Sequence, residues 1–261
     1  MERVLPLLRK YLFLIVLIVV ILGVTAAYLE GYRVGPGIRL SRVGTLTLNL
    51  PAGATVYADQ ILRNSTTKAG AIDIELISGS HSIIVSIPGD YPWSDLVAVT
   101  SGKNIQLSPI LVPNKPDATV LTDSARTDAL NAIASTTIPS KTNPLRLEGG
   151  CAAVYVSNNQ IITDAVTASG CTPPVYLCID GSCASTIIYS PTIKLSAVLP
   201  YPGRQDALLV GLGNTLYAIA LDPRSPQFFA PVLGATNPIF GVLSNGTLVV
   251  HNDASVFSIK L

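Results

Sequence analysis

The chain has 261 residues, of which 49% are hydrophobic and only 13% charged, and its mean hydropathy is +0.48. With 17 basic and 16 acidic residues the formal charge is +1. This excludes a disordered chain, which needs low hydrophobicity and high net charge, and it lacks the basic excess of a nucleic-acid binder.

Residues Tyr11 to Leu29 form an uncharged apolar run, flanked by Arg9 and Lys10 before it and Glu30 and Arg33 after it. In lipid every backbone amide must be bonded internally, so a run of this length predicts a helix that crosses the bilayer. The alternative is a cleaved signal peptide with its apolar core at Tyr11 to Val24 and small residues at Thr25-Ala26-Ala27. Arg3, Arg9 and Lys10 lie in a short leading tail, where the positive-inside bias acts. The expected arrangement is a tail at 1–10 inside, a signal anchor at 11–29, and the rest of the chain outside the membrane. Residues 30–42 (EGYRVGPGIRLSR) have no apolar period and are expected to be a stalk.

From residue 43 the pattern becomes period 2. Gly44 to Leu50, Thr55 to Ala58, Ala71 to Leu76, Ser82 to Ile87, Asp95 to Val99 and Ile105 to Val112 read as strands. Turn residues punctuate them at Pro51-Ala52-Gly53, Ser78-Gly79-Ser80, Pro88-Gly89-Asp90 and Ser101 to Asn104. Short strands this dense predict a small β-sandwich over 43–112. Asp73 and Glu75 share one strand face, which is the polar side of such a sheet.

These residues also resemble a known family. Val43-Gly44-Thr45-Leu46, the turn and strand from Pro51 to Asp59, Ser78 to Ile83, and Gly89-Asp90-Tyr91-Pro92-Trp93 are similar to the recurring turns of PEGA domains. The resemblance covers 43–112 and implies a surface β-sandwich of a prokaryotic envelope protein, an interaction or spacer module without chemistry of its own. Tyr91 and Trp93, the latter the single Trp, are a candidate binding surface of the aromatic-platform kind.

Residues 113–144 are rich in Pro, Thr, Ser, Asn and Asp and read as a linker. Within them Asp123 is placed to cap a short helix with Ala125, Ala129, Leu130 and Ile133 on one face.

Residues 145–261 are expected to form a second all-β domain of antiparallel hairpins around Asn/Gly turns. Val210 to Ile219 resembles a β-propeller blade repeat, and Val242 to Val250 is an approximate second copy. The length is short of a full propeller. Two or three blade-like sheets, or a closed sandwich of similar hairpins, remain as architectures, and open edges would offer a route to homo-oligomers.

All four cysteines lie in this region. An Asp180-Gly181 turn of type I′ sets Cys178 opposite Cys183, within disulfide reach. Cys151 and Cys171 then pair by elimination, as an even count in an exported chain suggests. A four-cysteine zinc site and free buried thiols are the alternatives. No C-x-x-C, G-x-S-x-G, H-E-x-x-H or phosphate loop is present, so no catalytic, cofactor-binding or metal-binding residues are assigned and no enzyme is expected. His81 and His251 stand far apart in sequence. Asn64 and Asn245 head sequons that are candidate glycosylation sites.

The fold class expected is mainly β: a transmembrane helix, a PEGA-like sandwich and a domain of blade-like hairpins. The function expected is an envelope protein presenting β domains to a protein or glycan. A subunit of a membrane sensing or secretion complex is the competing class.

Overall fold

The computed structural model describes residues 4–35, 39–179, 181–253 and 255–261. The chain is mainly β with one long N-terminal apolar helix, and several sheets carry the strands. It divides into two compact units. One comprises Met1–Ala52, Thr66–His81 and Val97–Ser108; the other comprises Gly53–Ser65, Ser82–Leu96 and Pro109–Leu261. Residues 43–112 therefore contribute to both.

The first unit begins with α1 (Val4–Leu29). Residues Tyr11–Leu29 are long and apolar enough to cross a membrane, and none of them is buried. A signal sequence passes the same test. The helix ends where Gly31 takes φ +80, the left-handed turn that a helix C-terminus favours for glycine. The chain then reverses into β1 (Tyr32–Gly35), which pairs with β2 (Arg39–Leu50). The expected stalk is thus a hairpin. Its apolar residues sit too far apart to show a period in sequence, but Val34 and Leu40 meet across the ladder.

The alternation in β2 puts Leu46, Leu48 and Leu50 inside, all nearly inaccessible to solvent. The strands that follow in the chain are β3 (Thr55–Ala58), β4 (Ile61–Ser65), β5 (Gly70–Ile77), β6 (Gly79–Ser86), β7 (Trp93–Val99) and β8 (Asn104–Leu107). β2 pairs antiparallel with β5 and parallel with β8, so the first sheet runs β1-β2-β5 with β8 beside β2. Asp73 and Glu75 do lie on the exposed face of β5, while Ile74 and Leu76 are buried. Glu75 accepts a two-pronged bond from Arg33, both at 2.9 Å, and Asp73 accepts from the Thr47 hydroxyl at 2.6 Å. Gly44 has no room for a side chain, because a Cβ there would run into the Thr100 carbonyl and Val99.

The second unit carries a four-stranded sheet in the order β4-β3-β6-β7 and then three more four-stranded sheets. Their elements are β9 (Asp117–Val120), α2 (Asp123–Ser135), β10 (Leu145–Leu147), β11 (Ala152–Ser157) and β12 (Gln160–Ala165). A two-stranded ribbon follows, β13 (Cys178–Ile179) and β14 (Ser182–Cys183). Then come β15 (Thr186–Tyr189), β16 (Leu195–Pro200), β17 (Ala207–Leu212), β18 (Thr215–Ala220), β19 (Phe229–Gly234), β20 (Ile239–Val242), β21 (Leu248–Asn252) and β22 (Ser255–Lys260).

Two of the sheets are β10-β11-β12-β15 and β16-β17-β18-β19. The third, β20-β21-β22-β9, takes its last strand from ahead of α2. All three are antiparallel. The stretch read as a linker therefore supplies β9 and α2 to this fold. Composition alone misleads here, because β9 is a fully exposed edge strand and has no buried residue to reveal it.

Helix α2 buries Ala129 and Ile133 against Val249 and Val256. Leu130 is half-buried and Ala125 exposed, so the expected face is kept only in the last turns. Thr122 rather than Asp123 occupies the N-cap, and Asp123 falls in the first turn, where a carboxylate complements the helix dipole. The main core joins the first two of these sheets through Leu147, Val154, Ile161, Ile188, Val198, Leu208, Val210 and Ile219.

The start of this region is held closely. Tyr201 donates its hydroxyl to the Leu111 carbonyl at 2.7 Å, Arg204 reaches the Pro109 carbonyl at 3.1 Å, and the Tyr91 amide donates to Val112 at 2.8 Å.

Candidate functional site

The first strands of the three C-terminal sheets, β10, β16 and β20, bring their ends to one cavity of about 460 Å³. Leu145, Val198 to Pro200 and Val242 form its walls, and the C-terminal turn of α2 closes one side with Ala132, Ser135 and Thr136. The helix stops there because its last carbonyls are satisfied locally. Ser135 and Thr136 both donate their hydroxyls to the Ala132 carbonyl, at 2.8 and 2.9 Å, and the Thr136 amide donates to Ile133 at 3.1 Å.

No lining residue of this cavity is charged, and none is a histidine or cysteine. It offers no acid, base or nucleophile. It can hold a neutral guest by shape, by apolar contact with Val and Pro, and by bonds to amide and hydroxyl groups such as Asn143 and Thr137.

Titratable groups with displaced protonation lie elsewhere in the same unit. Arg204 grips Asp206 through two bonds, at 2.8 and 2.6 Å, and Arg224 grips Asp222, with Nε to Oδ1 at 2.9 Å. Each pair is two residues apart, on the turn before β17 and on the turn after β18. Glu148 is pushed up to about 7, first by burial and then by the negative charge of Asp206. Asp95 on β7 is pushed up to about 6, chiefly by burial, against the opposing bond from the Leu96 amide. Burial also raises Tyr176, whose enclosed hydroxyl has no hydrogen-bond partner among the described residues. The cavity at the sheet ends contains none of these carboxylates. Among the described residues no three His, Cys, Asp or Glu side chains are grouped to hold a metal ion.

Of the residues singled out from sequence, the four cysteines are brought together in pairs. Cys178 and Cys183 face each other in the β13–β14 ribbon and are bonded, with Cα atoms 4.0 Å apart. Cys151 and Cys171 are bonded with Cα atoms 5.2 Å apart. Asp180, half of the turn that carries this expectation, lies outside the described residues.

The candidate platform at Tyr91 and Trp93 is corrected. Trp93 is only 4% exposed and belongs to the core, because it falls on the inward phase of β7 together with Val97 and Val99. Tyr91 stays half-exposed without an aromatic companion at Trp93. Asn64 is half-buried in β4, and Asn245 is exposed in a turn where its side-chain oxygen accepts from the Thr247 amide at 3.0 Å. His81 bonds the Ile77 carbonyl at 2.6 Å, and His251 pairs in β21 with Ile239 and Val256.

Sequence reasoning missed the cavity, whose walls are ordinary Val, Leu, Pro, Ser and Thr. It also missed the carboxylates. The signal for them was their rarity: in a chain so poor in charge, Arg204-Gln205-Asp206 and Asp222-Pro223-Arg224 are mirrored pairs. No family model and no curated protein matches the chain.

Proposed function

We propose that this is a membrane-anchored extracytoplasmic binding protein of a prokaryotic envelope, held by α1 and presenting β domains to a neutral polymer or polypeptide. The single observation that carries this is the helix: an uncharged run at Tyr11–Leu29 with no buried residue, in a chain whose cysteines are all oxidised. An apolar helix with no buried residue along Tyr11–Leu29 needs lipid around it. Paired cysteines belong to an oxidising compartment.

Residues 43–112, which resemble PEGA domains, supply strands suited to an interaction or spacer role in the envelope. The three C-terminal sheets act as blade-like units, with β9 completing the last one. The ligand end is the cavity framed by β10, β16 and β20, and its uncharged lining suits a guest recognised by hydrogen bonds and shape.

Exposed aliphatic and aromatic side chains on edge strands favour a second reading, a subunit of a larger membrane complex. Val120 on β9, Ile187 on β15, Phe229 on β19 and Ile239 on β20 are all exposed. Edges of this kind are templates for pairing.

Fractionation of cells expressing the full chain tests the anchor. It should stay in the membrane pellet through an alkaline carbonate wash, and protease added to spheroplasts should digest everything beyond the helix. A soluble product lacking residues 1–27 would overturn it. Binding is tested by retention of envelope polymer on the full chain in detergent. Thr137→Phe, at an exposed position in the cavity lining, should abolish retention and leave the melting transition in place.

A further inference from the structure

We propose that Asn245 carries an N-linked glycan, added outside the membrane from a lipid-linked glycosyl diphosphate, and that the other sequon, at Asn64, stays bare. This rests on the C-terminal region being extracytoplasmic. Asn64-Ser65-Thr66 and Asn245-Gly246-Thr247 have the same spacing, so sequence treats them alike. The fold separates them.

Asn245 stands at the tip of the β20–β21 hairpin, beyond its last ladder pair, Val242 with Leu248. Gly246 donates its amide to the Leu243 carbonyl at 2.8 Å, and the Leu243 amide donates to Thr247 at 2.9 Å. Gly246 takes φ +82, the left-handed residue that closes a three-residue hairpin loop. Ser244 and Asn245 are the middle of this turn, and both are exposed.

The side-chain oxygen of Asn245 accepts from the Thr247 amide at 3.0 Å, which makes an Asx turn. The carboxamide is thereby held with its nitrogen, Nδ2, unpartnered among the described residues. A bond to the oxygen also draws electron density from the nitrogen and makes its protons more acidic. The Thr247 hydroxyl, the third-position group of the sequon, likewise has no partner among the described residues and is not enclosed. Two open grooves flank the turn. One of about 270 Å³ lies beside Pro202 and Lys260, and one of about 410 Å³ beside Asp128 and Asn131. A sugar on Nδ2 has room on either side.

Asn64 differs on each count. It is half-buried within β4 and pairs with Val56 of β3. A strand on a ladder cannot close an Asx turn without giving up its pairing. Thr66 donates its hydroxyl to the Pro51 carbonyl at 2.7 Å, so its third-position group is engaged. A transferase that meets the folded chain can read Asn245 and not Asn64.

The step is redox-neutral. Nδ2 of Asn245 attacks the anomeric carbon of the donor, and the bond from that carbon to the diphosphate oxygen breaks. The lipid diphosphate leaves with the electron pair, and one Nδ2 proton passes to a base of the transferase.

The test is glycopeptide mass spectrometry on the full chain, purified from membranes of the cells that make it. The Asn245 peptide should carry a glycan and the Asn64 peptide none. Asn245→Gln and Thr247→Ala should each lose the whole mass increment, and Asn64→Gln should keep it. Thr247→Ala retains the backbone amide that makes the Asx turn, so its loss reports the hydroxyl. Protease added to spheroplasts reads the location separately. A bare Asn245 in a region that protease digests would overturn the site and leave the extracytoplasmic reading standing. A bare Asn245 in a protected region would overturn both. Equal occupancy of Asn64 would overturn the selection by turn geometry.

Discussion

Val120, just ahead of α2, sits opposite Phe257 in the last strand of the chain. This pair and its neighbours tie β9 to β22, so the two ends of the C-terminal region close one sheet between them. Ile259, opposite Ala118 and 2% exposed, carries the packing of that closure. Ile259→Ala should destabilise the region by about 2–5 kcal/mol, the usual cost of emptying a core site of this size. Val120→Thr, at an exposed position, should be near neutral. Urea melts of the two variants check the contrast.

Gly241 in β20 lies directly under α2. A Cβ there would stand 2.9 Å from the Ile133 amide nitrogen and 3.0 Å from its Cα. Helix backbone cannot yield as a flexible side chain can. Gly241→Ala should cost about 1–3 kcal/mol as overpacking, and it should lift α2 from the sheet. Hydrogen exchange should rise in 123–135 and not in β11 or β17.

The two disulfides differ in what they close. Cys151 and Cys171 are separated by 20 residues, Cys178 and Cys183 by 5. On chain entropy alone, replacing the first pair by Ala should cost roughly 3 kcal/mol and the second roughly 2 kcal/mol. Thermal melts of the two double variants test the order.

Glu148 and Asp95 give the fold a pH dependence of defined sign. Both carboxyls are raised in the native state, to about 7 and about 6. Below pH 4 they are protonated in both native and unfolded chains. Between there and neutrality the unfolded carboxyls ionise while the native ones keep their protons. The native state then binds more protons, and stability falls as pH rises. The contribution is fully present below the unfolded values and is lost as pH passes about 6 for Asp95 and about 7 for Glu148. Glu148→Gln should flatten the upper part of this window in urea titrations between pH 4 and 8.

The buried Trp93 supplies a direct optical check. Its emission should be blue-shifted and poorly quenched by acrylamide in the folded chain, and both should change on unfolding. Quenching as strong as that of free tryptophan would restore the exposed platform and contradict its burial.

What was legible from sequence is what local periodicity and chain connectivity impose. The apolar run at Tyr11–Leu29 must be helical wherever lipid or packing excludes water. Alternation in Leu46-Thr47-Leu48 and Ile74-Glu75-Leu76 assigns faces to strands without knowledge of their partners. A short turn between Cys178 and Cys183 sets them opposite each other. Other features depended on distant contacts. β9 has no apolar alternation because it is an exposed edge strand, and its pairing with β22 joins residues far apart in the chain. The phase of Trp93, inward or outward, follows from which sheet face is covered. Glu148 and Asp95 acquire their protonation from burial and from the carboxylates of Asp206 and Asp222, which lie far from them in sequence. The cavity arises only where β10, β16 and β20 end together. Tertiary structure decided these because burial, and the electrostatics that follow from it, are properties of residues adjacent in space.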